Sequence, residues 1–244
     1  MCRMCRQEST GKFEPSRRHV IGAAASVMGL VLTSTAFAKE MKPPPKPQNV
    51  LTPDAALQRL LKGNARYVEG VAARHDFKHE RDALAGGQNP YAAILSCADS
   101  RIAPEYAFDS GRGDLFVCRV AGNFANPESV ASLEYAVAEL NTPLILVLGH
   151  DSCGAVNAAI KSIKDGTTLP GHLPSLVEGV APAVKAVSQQ GGDTLANAIR
   201  QNVIDNVAKL RSTTPILSVA AEQGKLKVVG GIYRLRDGRV EMVD

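Results

Sequence analysis

The stretch Leu144-Ile145-Leu146-Val147-Leu148-Gly149-His150-Asp151-Ser152-Cys153-Gly154 decides the reading of this chain. Five aliphatic residues in a row are too few for a membrane span and suit a strand buried on both faces, as in a parallel sheet. The run gives way through Gly149 to a histidine, and three residues later a cysteine opens a helical stretch from Gly154 to Ile163. A strand that ends where a helix begins places His150 and Cys153 at the carboxyl edge of a sheet, where open α/β folds bind ligands.

Two further runs have the same character, Tyr91 to Ser96 and Leu115 to Val120. Cys97 follows the first of them directly, so it is expected at the same edge. Helical patterns alternate with these runs. Thr52-Pro53-Asp54 supplies a cap and a proline at the first helical position, and Ala56, Leu57, Leu60, Leu61, Ala65 and Val68 recur at helical spacing up to Gly70. Asn126-Pro127 opens a helix reaching Leu140, and Ser175 to Gln189 and Thr194 to Arg211 read as two more. Leu226 to Leu235, Asp237-Gly238 and Arg239 to Val243 form a strand, a turn and a second strand. The expected fold class is α/β: a central, mostly parallel β-sheet flanked by helices, with an N-terminal helical arm and a C-terminal hairpin. One domain, residues 51–244, holds all of it.

The first 50 residues are of another kind. Arg17-Arg18 precede a weakly apolar stretch from Val20 to Phe37, which ends in Ala36-Phe37-Ala38. Residues 1–38 therefore read as a twin-arginine signal peptide, a tag for export of a folded protein to the periplasm. The alternative is an uncleaved segment anchoring the chain in the membrane. Cys2 and Cys5 lie upstream of the tag and would leave with it. Residues 39–50 include Lys42-Pro43-Pro44-Pro45-Lys46-Pro47 and read as a stiff linker.

Composition excludes other classes. Hydrophobic residues at 45% and charged ones at 21% exclude disorder as the main state. Five of the 28 Lys and Arg, against two of the 24 Asp and Glu, fall within the signal. The remainder is nearly neutral, with no basic patch for nucleic acid.

Two thiolates and an imidazole, Cys97, His150 and Cys153, make a zinc set with one position vacant. Cys97-Ala98-Asp99-Ser100-Arg101 adds a carboxylate two residues from the first sulfur and a guanidinium two residues beyond. If Asp99 binds the metal, the site is closed; if it pairs with Arg101, one position is open to water. Cys118, inside the second run, is expected to be a structural, buried thiol. Gly149 to Gly154 has a superficial likeness to a nucleophile elbow, but its order is not G-x-S-x-G.

Cys97-x-Asp99-Ser100-Arg101, then Gly113-Asp114-Leu115-Phe116-Val117-x-Arg119-x-Ala121-Gly122-Asn123, Leu133-Glu134-Tyr135-Ala136-Val137 and Gly149-His150-x-x-Cys153-Gly154 together resemble the β-class carbonic anhydrases. The resemblance runs from about Thr52 to the final hairpin. It implies reversible hydration of carbon dioxide to bicarbonate and a proton, by zinc-bound hydroxide. One Zn2+ per chain would be held by Cys97, His150 and Cys153, with Asp99 as a fourth ligand or as the partner of Arg101, the two gating and orienting the nucleophile. On the substrate side it implies Gln88, Phe116, Ala121, Gly122 and Tyr135, the last across a dimer interface, and a homodimer or homotetramer. Ala121 stands where the family often has a larger residue. His75, His79 and His172 are proton-shuttle candidates by type alone. The remaining alternatives are a related zinc hydrolase of carbon disulfide or carbonyl sulfide, and a non-catalytic zinc or redox protein.

Overall fold

The computed structural model describes residues 45–243. The expected signal peptide, its two cysteines and the start of the linker lie outside them. Five strands, β1 (Ala92–Ser96), β2 (Leu115–Arg119), β3 (Leu144–His150), β4 (Lys227–Tyr233) and β5 (Val240–Val243), form one sheet in the order β2-β1-β3-β4-β5. The first four run parallel and β5 returns antiparallel to β4. All five residues of β1 and all seven of β3 are buried, as continuous aliphatic runs require.

Alternation along β1 and β3 divides the core into two. Ala93, Leu95, Ile145 and Val147 face one cluster, packed with α4 (Pro127–Ala138), α5 (Gly154–Asp165), α6 (Leu173–Ala186), α7 (Thr194–Ser212) and α8 (Ile216–Glu222). Ala92, Ile94, Leu144, Leu146 and Leu148 face the other, closed by α1 (Pro53–Val68) and α3 (Pro104–Ala107). A further polar helix, α2 (Phe77–Leu84), precedes β1. Among the described residues no helix is long and apolar enough to cross a membrane.

Thr52 caps α1, its hydroxyl accepting from the Ala55 amide at 3.3 Å, as the Thr-Pro-Asp start predicts. The end of the linker departs from expectation. Lys46 Nζ donates to Asp114 Oδ1 at 3.0 Å, and buried Asn49 donates to the same oxygen at 3.0 Å. A buried carboxylate demands partners, and these two residues supply them, so the chain is fastened to the domain from Lys46 rather than from residue 51.

Gly63 lets α1 approach the end of α3: a Cβ there would lie 1.9 Å from the Phe108 carbonyl oxygen. Backbone cannot yield as a side chain can. We expect Gly63→Ala to destabilise the fold by about 2–3 kcal/mol in urea melts, overriding the roughly 1 kcal/mol that alanine gains in a helix.

Candidate active site

The strand order fixes where a site can be. From β1 the chain passes to β2 on one side and then crosses to β3 on the other, which opens a crevice beyond the carboxyl ends of β1 and β3. Cys97 leaves β1 there and His150 ends β3. Cys153 occupies the N-cap of α5, where the helix dipole favours a thiolate.

Cys97 Sγ, Cys153 Sγ and a His150 ring nitrogen all lie within 4.8 Å of one another, and all three residues are buried. The His150 ring is oriented by its own chain: Nδ1–H donates to the Asp151 carbonyl at 2.8 Å. Nε2 is left buried with no hydrogen-bond partner among the described residues. An orphaned buried nitrogen beside two sulfurs fits a metal ion of the soft-ligand class. The Gly122 amide donates to Cys97 Sγ at 3.3 Å. A hydrogen bond from the Cys153 thiol holds Cys97 below the usual thiol range, and the same bond, with burial, raises Cys153 above it. Burial alone would lower His150, but the neighbouring Cys97 outweighs it and the ring is raised.

Asp99 is engaged by Arg101 rather than by the sulfur side. Arg101 Nε donates to Oδ1 at 2.9 Å and Nη2 to Oδ2 at 2.7 Å, a bidentate fork, while the Arg101 amide donates to Oδ1 at 3.0 Å. These bonds hold the Asp99 carboxyl well below the ordinary carboxylate range. Oδ2 nevertheless stands 3.8 Å from His150 Nε2, so the carboxylate borders the Cys97, His150 and Cys153 cluster. Arg101 also reaches the Ser152 carbonyl at 3.3 Å.

Two contributors went unread in the sequence. Arg119, at the end of β2, donates to the carbonyls of Cys97 (2.9 Å), Asp99 (2.8 Å) and Ile102 (2.9 Å), and so shapes the whole loop after β1. Asn202 of α7 donates to the Gly122 carbonyl at 2.8 Å. Arg119 had a signal, a charge closing an otherwise apolar run.

Ala121 and Gly122 follow β2 at the site's edge, but the other expected substrate-side residues are elsewhere in the chain. Gln88 is exposed in the loop before β1, at the opposite end of that strand from Cys97. Phe116 is in register with Ala93, four residues short of Cys97, or about 13 Å along the strand. Its ring packs on Tyr135 of α4, centroids 6.4 Å apart, and Tyr135 is half exposed. His75 stands 3.5 Å from Asp109 and His79 2.6 Å from Asp76, and His172 is exposed before α6. Cys118 is buried against α4, its thiol raised by burial.

Comparison with known proteins agrees with this geometry. A family model described as carbonic anhydrase matches residues 92–240. Carbonic anhydrase 2 of Mycobacterium tuberculosis is 44% identical over 194 residues, which cover 79% of this chain and 93% of that protein. Among solved structures, the β-carbonic anhydrase CcaA is 30% identical with a TM-score of 0.60, the match covering 78% of this chain and 88% of that one. A tetrameric β-carbonic anhydrase of Sordaria macrospora is 26% identical with a TM-score of 0.61, covering 78% and 96%. By sequence and fold, this chain is an enzyme that belongs to the β-class carbonic anhydrase family, a lyase.

Proposed function

We propose that the chain hydrates carbon dioxide reversibly to bicarbonate and a proton, with one zinc ion held by Cys97, His150 and Cys153. The observation that carries this is the convergence of the unpartnered His150 Nε2 with two buried sulfurs beside a carboxylate held back by Arg101. When bound, zinc lowers the pKa of a water from about 15.7 towards neutrality. The chain's own groups do the rest. Asp99 accepts a hydrogen bond from the attacking water and aims its lone pair, while the Arg101 fork keeps the carboxylate charged and away from the metal position. Ala121 and Gly122, which follow β2 beside Cys97, bound the pocket.

Gln88, Phe116 and Tyr135 belong to the substrate side only if a second copy brings them there. Among the described strands β2 is an edge of the sheet, and Phe116 and Tyr135 lie on it and beside it, which supports a dimer formed across this edge. We propose further that the chain is exported as a folded precursor and cleaved after Ala38. Protein from the periplasmic fraction should then begin at Lys39 by mass spectrometry and have the mass of a dimer or tetramer by light scattering. A monomer retaining residue 1 would contradict both.

The direct test of the activity is stopped-flow hydration of carbon dioxide by the zinc-loaded chain across pH 6.5 to 9, before and after chelation. Activity that disappears with the metal and returns with zinc is the expected result. A chain that holds one zinc and shows no hydration at any pH would transfer the site to another substrate.

A further inference from the structure

Two buried asparagines outside the site hold its edge. Asn202 and Asn206 stand one turn apart on α7, 2% and 6% exposed. Asn202 Nδ2 donates to the Gly122 carbonyl at 2.8 Å, and Asn206 Oδ1 accepts from the Ala125 amide at 2.7 Å. Asn206 Nδ2 donates back to Asn202, to its carbonyl at 2.7 Å and its Oδ1 at 3.1 Å. Burying amides is unfavourable unless each finds partners, and aliphatic Ile199 and Val203 fill the adjacent core positions of the same helix. The pair therefore latches the segment after β2 at two backbone points.

What that latch holds is one residue with two engagements. Gly122 has φ +88°, a conformation that favours glycine, and a Cβ there would lie 2.9 Å from Val180. Its carbonyl is tied to Asn202, while its amide points at Cys97 Sγ, 3.3 Å away. An amide donated to a thiolate withdraws charge from the sulfur, and such outer contacts tune metal centres.

The geometry points to Asn202 as a positioning residue for the metal centre: by fixing Gly122 it aims an amide at Cys97 Sγ and sets how much charge that sulfur gives a bound metal. This rests on the reading of Cys97 as a metal ligand. The test uses the full chain loaded with cobalt(II), whose sulfur-to-metal charge-transfer band reports thiolate donation. Absence of that band in the unaltered chain would overturn the metal reading itself.

With the band present, Asn202→Leu, which keeps the branched outline and replaces the amide ends by methyls, should move it to longer wavelength and reduce zinc retention against a chelator roughly 10-fold. Asn64→Ala is the control: this asparagine is equally buried but ties α1 to Ala107, Gly238 and Val240. It should lower stability and leave the band in place. A band unmoved by Asn202→Leu, or moved as far by Asn64→Ala, would overturn the proposal. If Asn202→Leu does not fold, the unaltered chain loaded with 113Cd decides: a scalar coupling between the Gly122 amide proton and cadmium is expected, and its absence would refute the latch.

Discussion

Cys153→Ser is expected to remove hydration activity to below detection while the chain stays folded. The physical reason lies in what oxygen cannot replace. A serine hydroxyl is not ionised near neutral pH and is a hard donor, so a zinc-loaded site would lose one thiolate charge and one soft ligand. Loss of an outer partner costs a metal site roughly 10- to 100-fold in affinity; loss of a ligand should exceed that range. The fold should survive, because Cys153 is a small member of a cluster that Ile145, Val147, Val156 and Val203 already fill. Metal content by plasma mass spectrometry, together with a thermal melt, separates the outcomes. Zinc at one per chain with activity retained would remove Cys153 from the ligand set.

The sequence made this site legible because the relevant residues mark transitions. Cys97 ends one apolar run, His150 ends another, and Cys153 begins a helix, so strand and helix boundaries carried the three side chains to one edge. The same logic found all five strands to within two residues, since unbroken runs such as Leu144 to Leu148 have few other readings. It missed α2, α3 and α8. Helix α2 reads Phe-Lys-His-Glu-Arg-Asp-Ala-Leu, too polar to show a stripe, α3 has four residues, and α8 is a short apolar segment whose period is ambiguous.

Arg119 and Asn202 escaped for a different reason. Their partners are backbone carbonyls, which have no residue type, so neither a charge closing an apolar run nor an amide on a helix says what it will hold. The choice between an open and a closed Asp99 also required coordinates, because Cys-x-Asp-x-Arg spacing permits both. Gln88, Phe116 and Tyr135 are motif matches whose positions in a single chain lie away from Cys97, so their meaning depends on a second copy that no sequence spacing specifies.

Asp99→Asn should lower kcat/KM about 10²-fold or more, and the ratio of mutant to parent should be constant from pH 6.5 to 9. Asparagine keeps the shape of the side chain but not its charge, and one of its two terminal groups becomes a donor facing the Arg101 fork. The pair of bonds to Nε and Nη2 cannot then both form. The pH independence follows from the direction in which Asp99 is shifted. Hydrogen bonds from Arg101 stabilise the carboxylate, so its folded pKa lies below the unfolded value of about 3.9. Its contribution to the fold is present above the unfolded pKa and is lost only as pH falls through the lower folded one. Over the assay range the carboxylate is therefore fully charged, and replacing it removes the same interaction at every pH. Stopped-flow rates for both proteins, each carrying one zinc, supply the ratio. A ratio that drifts with pH would mean that Asp99 exchanges a proton during turnover, whereas full activity would reduce it to a brace for Arg101.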